Sequence, residues 1–488
     1  MIPAKTRIAI LGAGMSGLCM AMQLRKKGID DFVILEKAAG VGGTWRENRY
    51  PNIACDVPSH VYSFSFELNP NWSSSYSGGA EILAYCESCV EKYGLADFIH
   101  FGAEVKAARF DEKCWRIETQ DGALLEADVV VSGLGGLHIP NYFSADGLET
   151  FNGRRFHTAQ WDEDVDLTGK RVAIIGTGAS AAQALPGIAP VAKEVTVFQR
   201  KAAWVFPRMA AEISDKRRAM FNKNPWLMRV YRWSIWLTMD LLGVLSLRRN
   251  SFFSKRLKQG ALKHLENSVN SPEIRAKLTP DYAAGCKRRV IADDYLTMFN
   301  RDNVHLVTDG VDRIEANGVR DTLGNLHEID VLIEATGFKP FDITDYVEVC
   351  GRDGQHLKDV WKDKVASFRT MMVPGFPNFF MMLGPNSATG HTSALIMIES
   401  TVNYVIKALE LMNSRGLSHL DPDPKVVARY NGRLQRDMKR MVFSGGCDSW
   451  YTDDNDYNFT LWPYSAARFV YEQSKVDPHE FRDGARLS

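Results

Sequence analysis

Two side chains of opposite charge occupy the same place in a pattern that this chain writes twice. Glu36 lies 19 residues after Gly17, and Arg200 lies 19 residues after Ala181. The first copy runs Arg7–Leu11, then Gly12-Ala13-Gly14-Met15-Ser16-Gly17, a helical stretch to Lys27, and Phe32–Leu35 ahead of Glu36. The second runs Arg171–Ile175, then Gly176-Thr177-Gly178-Ala179-Ser180-Ala181, a helix, and Val195–Arg200. Each reads strand, glycine turn, helix, strand. Such glycines permit a tight turn and let backbone N–H groups meet a pyrophosphate at a helix N-terminus, where the dipole favours negative charge. One such motif is weak evidence, but two in the right context are strong. Ala181 replaces the third glycine of the second copy, an exchange the pattern permits.

The charges separate the two ligands. An acid at this point accepts hydrogen bonds from ribose hydroxyls, which suits FAD in the first fold. An arginine meets a 2′-phosphate through charge-assisted bonds of about 1.5–3 kcal/mol each. The second fold is therefore expected to hold NADP rather than NAD, with Lys201 as a second phosphate ligand. Closing strands follow each copy: Asp128–Val131 with Gly133, and Asp330–Ile333 leading to Ala335-Thr336-Gly337.

After Glu36 a second glycine cluster, Gly40-Val41-Gly42-Gly43-Thr44-Trp45, suggests a chain passing close to a bulky flat cofactor. Flavin disulfide reductases carry a redox cysteine pair soon after this point. Here Trp45 and a single Cys55 occupy the region, which argues against that chemistry. Further on, Gly285-Cys286-Lys287-Arg288-Arg289 concentrates positive charge that could stabilise a developing anion.

Residues 151–162, Phe-Asn-Gly-Arg-Arg-Phe-His-Thr-Ala-Gln-Trp-Asp, contain Phe151, Gly153, His157, Trp161 and Asp162. This string resembles the fingerprint of type I (class B flavin) Baeyer–Villiger monooxygenases. The stretch from Gly43 through Tyr50-Pro51-Asn52 to Asp56 is similar to a second motif of that family, with Asn52 where Gly or Met is usual. Asn also tolerates positive φ, so the turn is expected to survive.

The resemblance implies an α/β fold of two Rossmann-like dinucleotide-binding domains, for FAD and NADP, with a helical insert in the second. It implies that NADPH reduces FAD and that a C4a-peroxyflavin converts a ketone to an ester or lactone with O2, sulfide oxidation being a side activity. Arg288 would stabilise the oxygen adduct, Asp56 would orient Arg288, and Lys287 would help bind NADP. Thr44, Trp45, Asp56, Tyr62, Val105 and Asn386 are implied around FAD, with Gly12, Gly14, Gly17, Glu36 and Gly43. Gly176, Thr177, Gly178, Ser180, Ala181, Arg200, Lys201, Ala335, Thr336 and Gly337 are implied around NADP. Gly446-Cys447-Asp448-Ser449-Trp450-Tyr451 looks like a mobile loop whose Trp450 reaches cofactor or substrate. His157 and Trp161 are expected to pack and control a hinge rather than to move protons. Which of Arg288 and Arg289 faces the flavin is open at this point.

The elements that must position these groups follow. The FAD domain is expected to be discontinuous, 1–145 plus 370–488. Linker and NADP domain span 146–206 plus 284–345, with a helical insert at 207–283. Within the insert Trp226, Trp233, Trp236, Leu237 and Leu241–Leu242 are expected on one helical face, packing onto the NADP domain, lining a substrate entrance or touching a membrane interface. Arginines and Asp240 interrupt this stretch, so no stable membrane span is expected. The tail beyond Asp477 carries no signal.

Composition sets the remaining bounds. The 488 residues are 45% hydrophobic and 24% charged, ordinary for a globular protein. Lys plus Arg equals Asp plus Glu at 59 each, so no global charge argues for nucleic acid. Cys86-x-x-Cys89 has no second pair to complete a zinc site, and is expected as two half-buried thiols on one helix. No metal is expected, no disulfide framework is implied, and no signal peptide is visible, so a cytoplasmic location is expected. Two other readings share these folds. Flavin monooxygenases that oxidise nitrogen or sulfur usually end their fingerprint in His-x₃-Tyr. A nucleotide-sensing protein without turnover needs neither Asp56 nor Lys287-Arg288.

Overall fold

The computed structural model describes residues 2–339, 343–444, 447, 449–453 and 455–482. Gly446 and Asp448 lie outside the described residues. Two twisted sheets organise the chain. Strand β1 (Lys5–Leu11) is buried along Ile8–Leu11, and runs parallel between β2 (Phe32–Glu36) and β6 (Leu124–Ser132). Its uninterrupted apolar run fits a central strand covered on both faces. Beyond β2 lies β3 (Ile99–Phe101), and beyond β6 an antiparallel meander of β5 (Trp115–Thr119) and β4 (Val105–Phe110). Late segments return to this sheet: Phe379–Met381 pairs with β6, and Glu348–Cys350 with β4. Helix α1 (Met15–Lys26) packs against the long helix Ala394–Arg415 over one face.

The second sheet is wholly parallel. In spatial order it runs Val304–Val307, β9 (Glu194–Phe198), β8 (Arg171–Ile175), Val331–Glu334 and β7 (Arg154–His157). Helix α2 (Thr44–Glu47) and helix α3 (Gly79–Tyr93) belong to the first unit, and α4 (Ala179–Ile188) crosses from β8 to β9. The fold is thus the expected α/β arrangement of two Rossmann-like sheets.

The insert is helical: α5 (Asp215–Lys223), α6 (Pro225–Leu247), α7 (Phe252–Ser268) and α8 (Pro272–Lys277). Its packing differs from the expectation. Trp236 turns inward with Ile235 onto Val61, Met397 and Trp462, while Trp226, Trp233, Leu237, Leu241 and Leu242 stay exposed. Helix α6 therefore lies on the first-sheet unit instead of the NADP side. Buried polar bonds select that seat: Asp240 accepts from Ala466 N at 2.7 Å and pairs with His391 Nε2 at 2.9 Å.

Three further expectations are corrected. Cys86 and Cys89 are fully buried rather than half-buried. Cys286 and Cys447 form a disulfide across 161 residues, a pairing that local spacing cannot reveal. Beyond Asp477, Glu480 pairs with Arg369 at 2.6 Å and Phe481 is fully buried, so this part of the tail closes the core.

Candidate active site

The first cradle forms where β1 ends. A Cβ on Gly17 would lie 1.9 Å from Gly12 O, so helix and turn can meet only through glycine. Gly14 and Gly178 cap α1 and α4 without a side-chain bond, leaving the helix N-termini to an anion. Glu36 is buried, and its carboxylate accepts from Ala13 N at 2.6 Å and Ala38 N at 2.8 Å. The second glycine cluster docks here, with Gly42 N donating to Ala13 O at 3.0 Å. Gly43 then caps α2, which begins at Thr44, and Trp45 Nε1 donates to Tyr62 Oη at 3.1 Å. Burial pushes the Tyr62 phenol well above its usual range. Val105 follows Ala103, whose N–H donates to Glu36 O at 2.9 Å. Asn386 is buried with φ near +60°; its Nδ2 donates to Asn458 O and Leu461 O, but among the described residues Oδ1 has no partner. A glycine cradle, a buried acid at its rim and an orphaned buried acceptor fit a large polar cofactor such as FAD.

The second cradle repeats the device. Gly176 has φ near +110°, and a Cβ there would lie 2.5 Å from Ala335 O. Thr177 Oγ1 donates to Lys201 O at 3.2 Å, tying Arg200 and Lys201 to the glycine turn. Arg200 is exposed beside that turn, where an incoming phosphate can reach it. Ala181 is buried in α4, whose first turn carries Ser180. Thr336 Oγ1 donates to Asn141 O at 2.6 Å, and Gly337 O accepts from Asn141 N at 2.9 Å.

Asp56 stands between the two cradles. Arg288 Nη2 lies 3.4 Å from its Oδ2, and Arg208 Nη2 lies 3.6 Å from its Oδ1. Gln183 of α4 donates to Asp56 Oδ1 at 3.2 Å and to Ala54 O at 3.0 Å, while accepting from Tyr50 Oη at 3.1 Å. Asn52, on the turn that leads here, takes φ +59°, so asparagine does hold the left-handed turn. Arg289 is turned away: it donates to Gly390 O and lies over the Phe206 ring. Lys287 Nζ sits 5.3 Å from the Tyr282 ring centroid. Desolvation is the strongest single influence and lowers the Arg288 pKa, but Asp56, Tyr451 and Tyr50 together outweigh it and the net shift is upward. One carboxylate between two guanidinium groups leaves net positive charge, which can stabilise an oxyanion.

The fingerprint residues sit at the edge of the second sheet. His157 is buried, its Nδ1 accepts from Ala159 N at 3.0 Å, and it meets Tyr142 and Phe338 edge to face. Burial lowers its pKa against the opposing pull of Glu334. Trp161 packs edge to face on Phe156, and Asp162 accepts from Arg154 Nη2 at 2.6 Å. Gly153 fits between Asp330 O and the Phe151 ring. Among the described residues, none of these side chains bonds to Asp56 or Arg288.

Trp450 is partly exposed and meets Tyr451 edge to face, with ring centroids 4.5 Å apart. Tyr451 is the buried member of the pair. Burial raises its pKa to about 12, with Arg288 and Arg289 opposing. The structure thus brings Tyr451 to the basic pair and leaves Trp450 outside it. The disulfide from Cys286 to Cys447 ties this segment to the strand entry that carries Arg288. Glu348, Cys350 and His356 cluster at the far edge of the first sheet, where Arg109 pairs with Glu348.

Sequence reasoning missed Gln183, Arg208 and Tyr451. Gln183 had a signal, as the one polar side chain amid the alanines that follow the second glycine turn. Arg208 had none, since only the fold brings it across to Asp56.

Comparison with known proteins then decides the family. Residues 9–222 match the family model described as pyridine nucleotide-disulphide oxidoreductase. A Baeyer-Villiger monooxygenase of Pseudomonas aeruginosa is 42% identical over 95% of this chain and 88% of its own length. The chain belongs to the Baeyer–Villiger monooxygenase family. Solved structures of the same architecture include an oxidized steroid monooxygenase bound to NADP, with TM-score 0.86, 28% identity and coverage of 96% and 97% of the two chains. An epsilon-caprolactone-bound cyclohexanone monooxygenase gives TM-score 0.86, 26% identity and 98% and 99% coverage. Among the described residues no disulfide stands beside the first cradle, where Cys55 is buried and free.

Proposed function

We propose that this Baeyer–Villiger monooxygenase is of type I, class B, and uses FAD, NADPH and O2 to convert a ketone to an ester or lactone, with sulfides as side substrates. The observation that carries this reading is Arg288 paired to Asp56 at the junction of two dinucleotide cradles. FAD held on the first cradle and reduced by NADPH supplies the electrons that split O2, one atom entering the product and the other leaving as water.

The chain's own residues do the rest. Glu36 binds the FAD ribose, and Arg200 with Lys201 binds the 2′-phosphate of NADP. Lys287 assists at the nicotinamide nucleotide. Arg288 holds the developing negative charge on the substrate oxygen, and Asp56 fixes Arg288 in place. Gln183 and Arg208 position Asp56. Tyr451, buried beside the basic pair, limits how far water reaches it from that side. Phe151, Gly153, His157, Trp161 and Asp162 hold the edge strand that relates the two nucleotide sites.

Turnover of a ketone panel under ¹⁸O-labelled O2 tests this directly. The expected product is an ester carrying one labelled oxygen, formed in step with NADPH consumption. NADPH oxidation matched by hydrogen peroxide, with no ester from any ketone, overturns it.

A further inference from the structure

The outer face of α6 has no role in the site. Trp226, Val230, Trp233, Leu237 and Leu241 recur at steps of four, three, four and four, so they form one stripe roughly 22 Å long. They are strongly exposed, Trp226 at 61%, Trp233 at 56% and Leu241 at 60%. Phe252, at the start of α7, is 64% exposed. Contiguous apolar surface of this kind marks an interaction site.

The exposure does not come from a loosely seated helix. Asp240 and Arg232 fasten the opposite face, the latter to Ser63 O at 3.3 Å and Glu399 Oε1 at 3.7 Å. Among the described residues no helix is long and apolar enough to cross a membrane, so the stripe cannot be read as a span.

Charge selects the occupant. From Lys216 to Lys263 the chain carries twelve lysines and arginines and a single acid. That acid, Asp240, is buried on the inner face. Arg229 flanks the stripe, Arg248 and Arg249 end the helix, and Lys255 and Arg256 follow Phe252, all exposed. A two-fold contact with a second copy would set this basic rim against itself, which like-charge repulsion disfavours. An apolar face with two tryptophans inside a cationic rim matches instead an anionic lipid surface.

We propose that α6 and the start of α7 form an in-plane docking surface for the anionic phospholipid leaflet of a membrane. The tryptophans and leucines enter the headgroup boundary, and the rim cations meet lipid phosphates. The body of the enzyme, with both nucleotide cradles, then rides at the surface where apolar substrates partition.

The test uses the FAD-loaded enzyme in vesicle co-sedimentation. Vesicles of phosphatidylcholine alone are compared with vesicles containing phosphatidylglycerol, at low and high salt. Expected is binding to the anionic vesicles that weakens with salt and falls by at least about tenfold in the Trp233→Ser/Leu237→Ser double variant. NADPH-driven turnover of a water-soluble ketone stays unchanged in that variant, which shows an intact fold. No sedimentation with either vesicle overturns the proposal. So does a concentration-dependent dimer that the variant abolishes while vesicle binding is absent, since the face would then belong to a second copy.

Discussion

Gln183 Nε2 donates to Asp56 Oδ1 at 3.2 Å, a bond that reaches from the helix of the second glycine turn into the loop of the first unit. The same amide holds Ala54 O and receives Tyr50 Oη, so one side chain fixes three points of that loop. Net contributions of such bonds are about 1 kcal/mol each. Gln183→Ala is therefore expected to lower kcat/KM for a ketone by roughly tenfold or more and to raise the hydrogen peroxide released per NADPH. A variant with unchanged coupling would show that Asp56 needs no help from this helix.

Arg288 and Arg289 are adjacent in sequence, yet only Arg288 pairs with Asp56, while Arg289 donates to Gly390 O. Removing one donor from an oxyanion site typically costs on the order of 100- to 1000-fold in kcat. Arg288→Ala is expected to keep NADPH-driven flavin bleaching and to lose ester formation by about that factor. Arg289→Ala is expected to act through stability, lowering the melting midpoint while sparing ester yield per folded enzyme. Reversed results would exchange the two assignments.

Arg200 follows the tip of β9, and Thr177 Oγ1 ties the neighbouring Lys201 carbonyl to the glycine turn. In the proposed reading, Arg200→Ala removes a charge-assisted contact to a 2′-phosphate and none to the rest of the dinucleotide. The ratio of kcat/KM for NADPH over NADH is expected to fall by about tenfold or more. An unchanged ratio places phosphate recognition elsewhere.

The parts of the site that the sequence made legible are local. Both glycine turns, Glu36 and Arg200 occupy fixed offsets along strand, turn and helix, and Asn52 declares its left-handed turn by residue type. Contacts that depend on chain-distant packing were not legible. Arg208 approaches Asp56 only because the insert's entry strand, Val205–Phe206, pairs with Val290–Ile291 beside Arg288. Trp233 and Trp236 both fit an apolar helix, and the buried bonds of Asp240 and Arg232 decide which one faces inward. Those bonds lie within a sequence whose charges seemed merely to interrupt a hydrophobic run.

His60 is buried between the Phe221 and Tyr231 rings, with Nε2 unpartnered among the described residues. Burial lowers its pKa to about 4, and Arg217 adds to the effect. The unfolded histidine, near pH 6.5, takes up its proton first. Stability is therefore full above that value and is lost as pH falls towards about 4, by up to about 3 kcal/mol. The melting midpoint is expected to drop between about pH 7 and pH 5, and His60→Asn to flatten that drop. Equal slopes in both proteins would assign the acid sensitivity to other groups.

Cys286 is fully buried beside Lys287, and its bond to Cys447 closes a loop across 161 residues. In the chain-entropy account a loop of that size restricts the unfolded state by about 5 kcal/mol. The bond also anchors the segment carrying Trp450 and Tyr451 to the segment carrying Arg288. Reduction is expected to lower the melting midpoint by several degrees and to leave a Cys286→Ser/Cys447→Ser variant unmoved by reductant. Peptide mapping without reductant is expected to recover the two segments cross-linked. Alkylation of both thiols in the untreated protein would show them unbonded, and Tyr451 would then be held near Arg288 by packing alone.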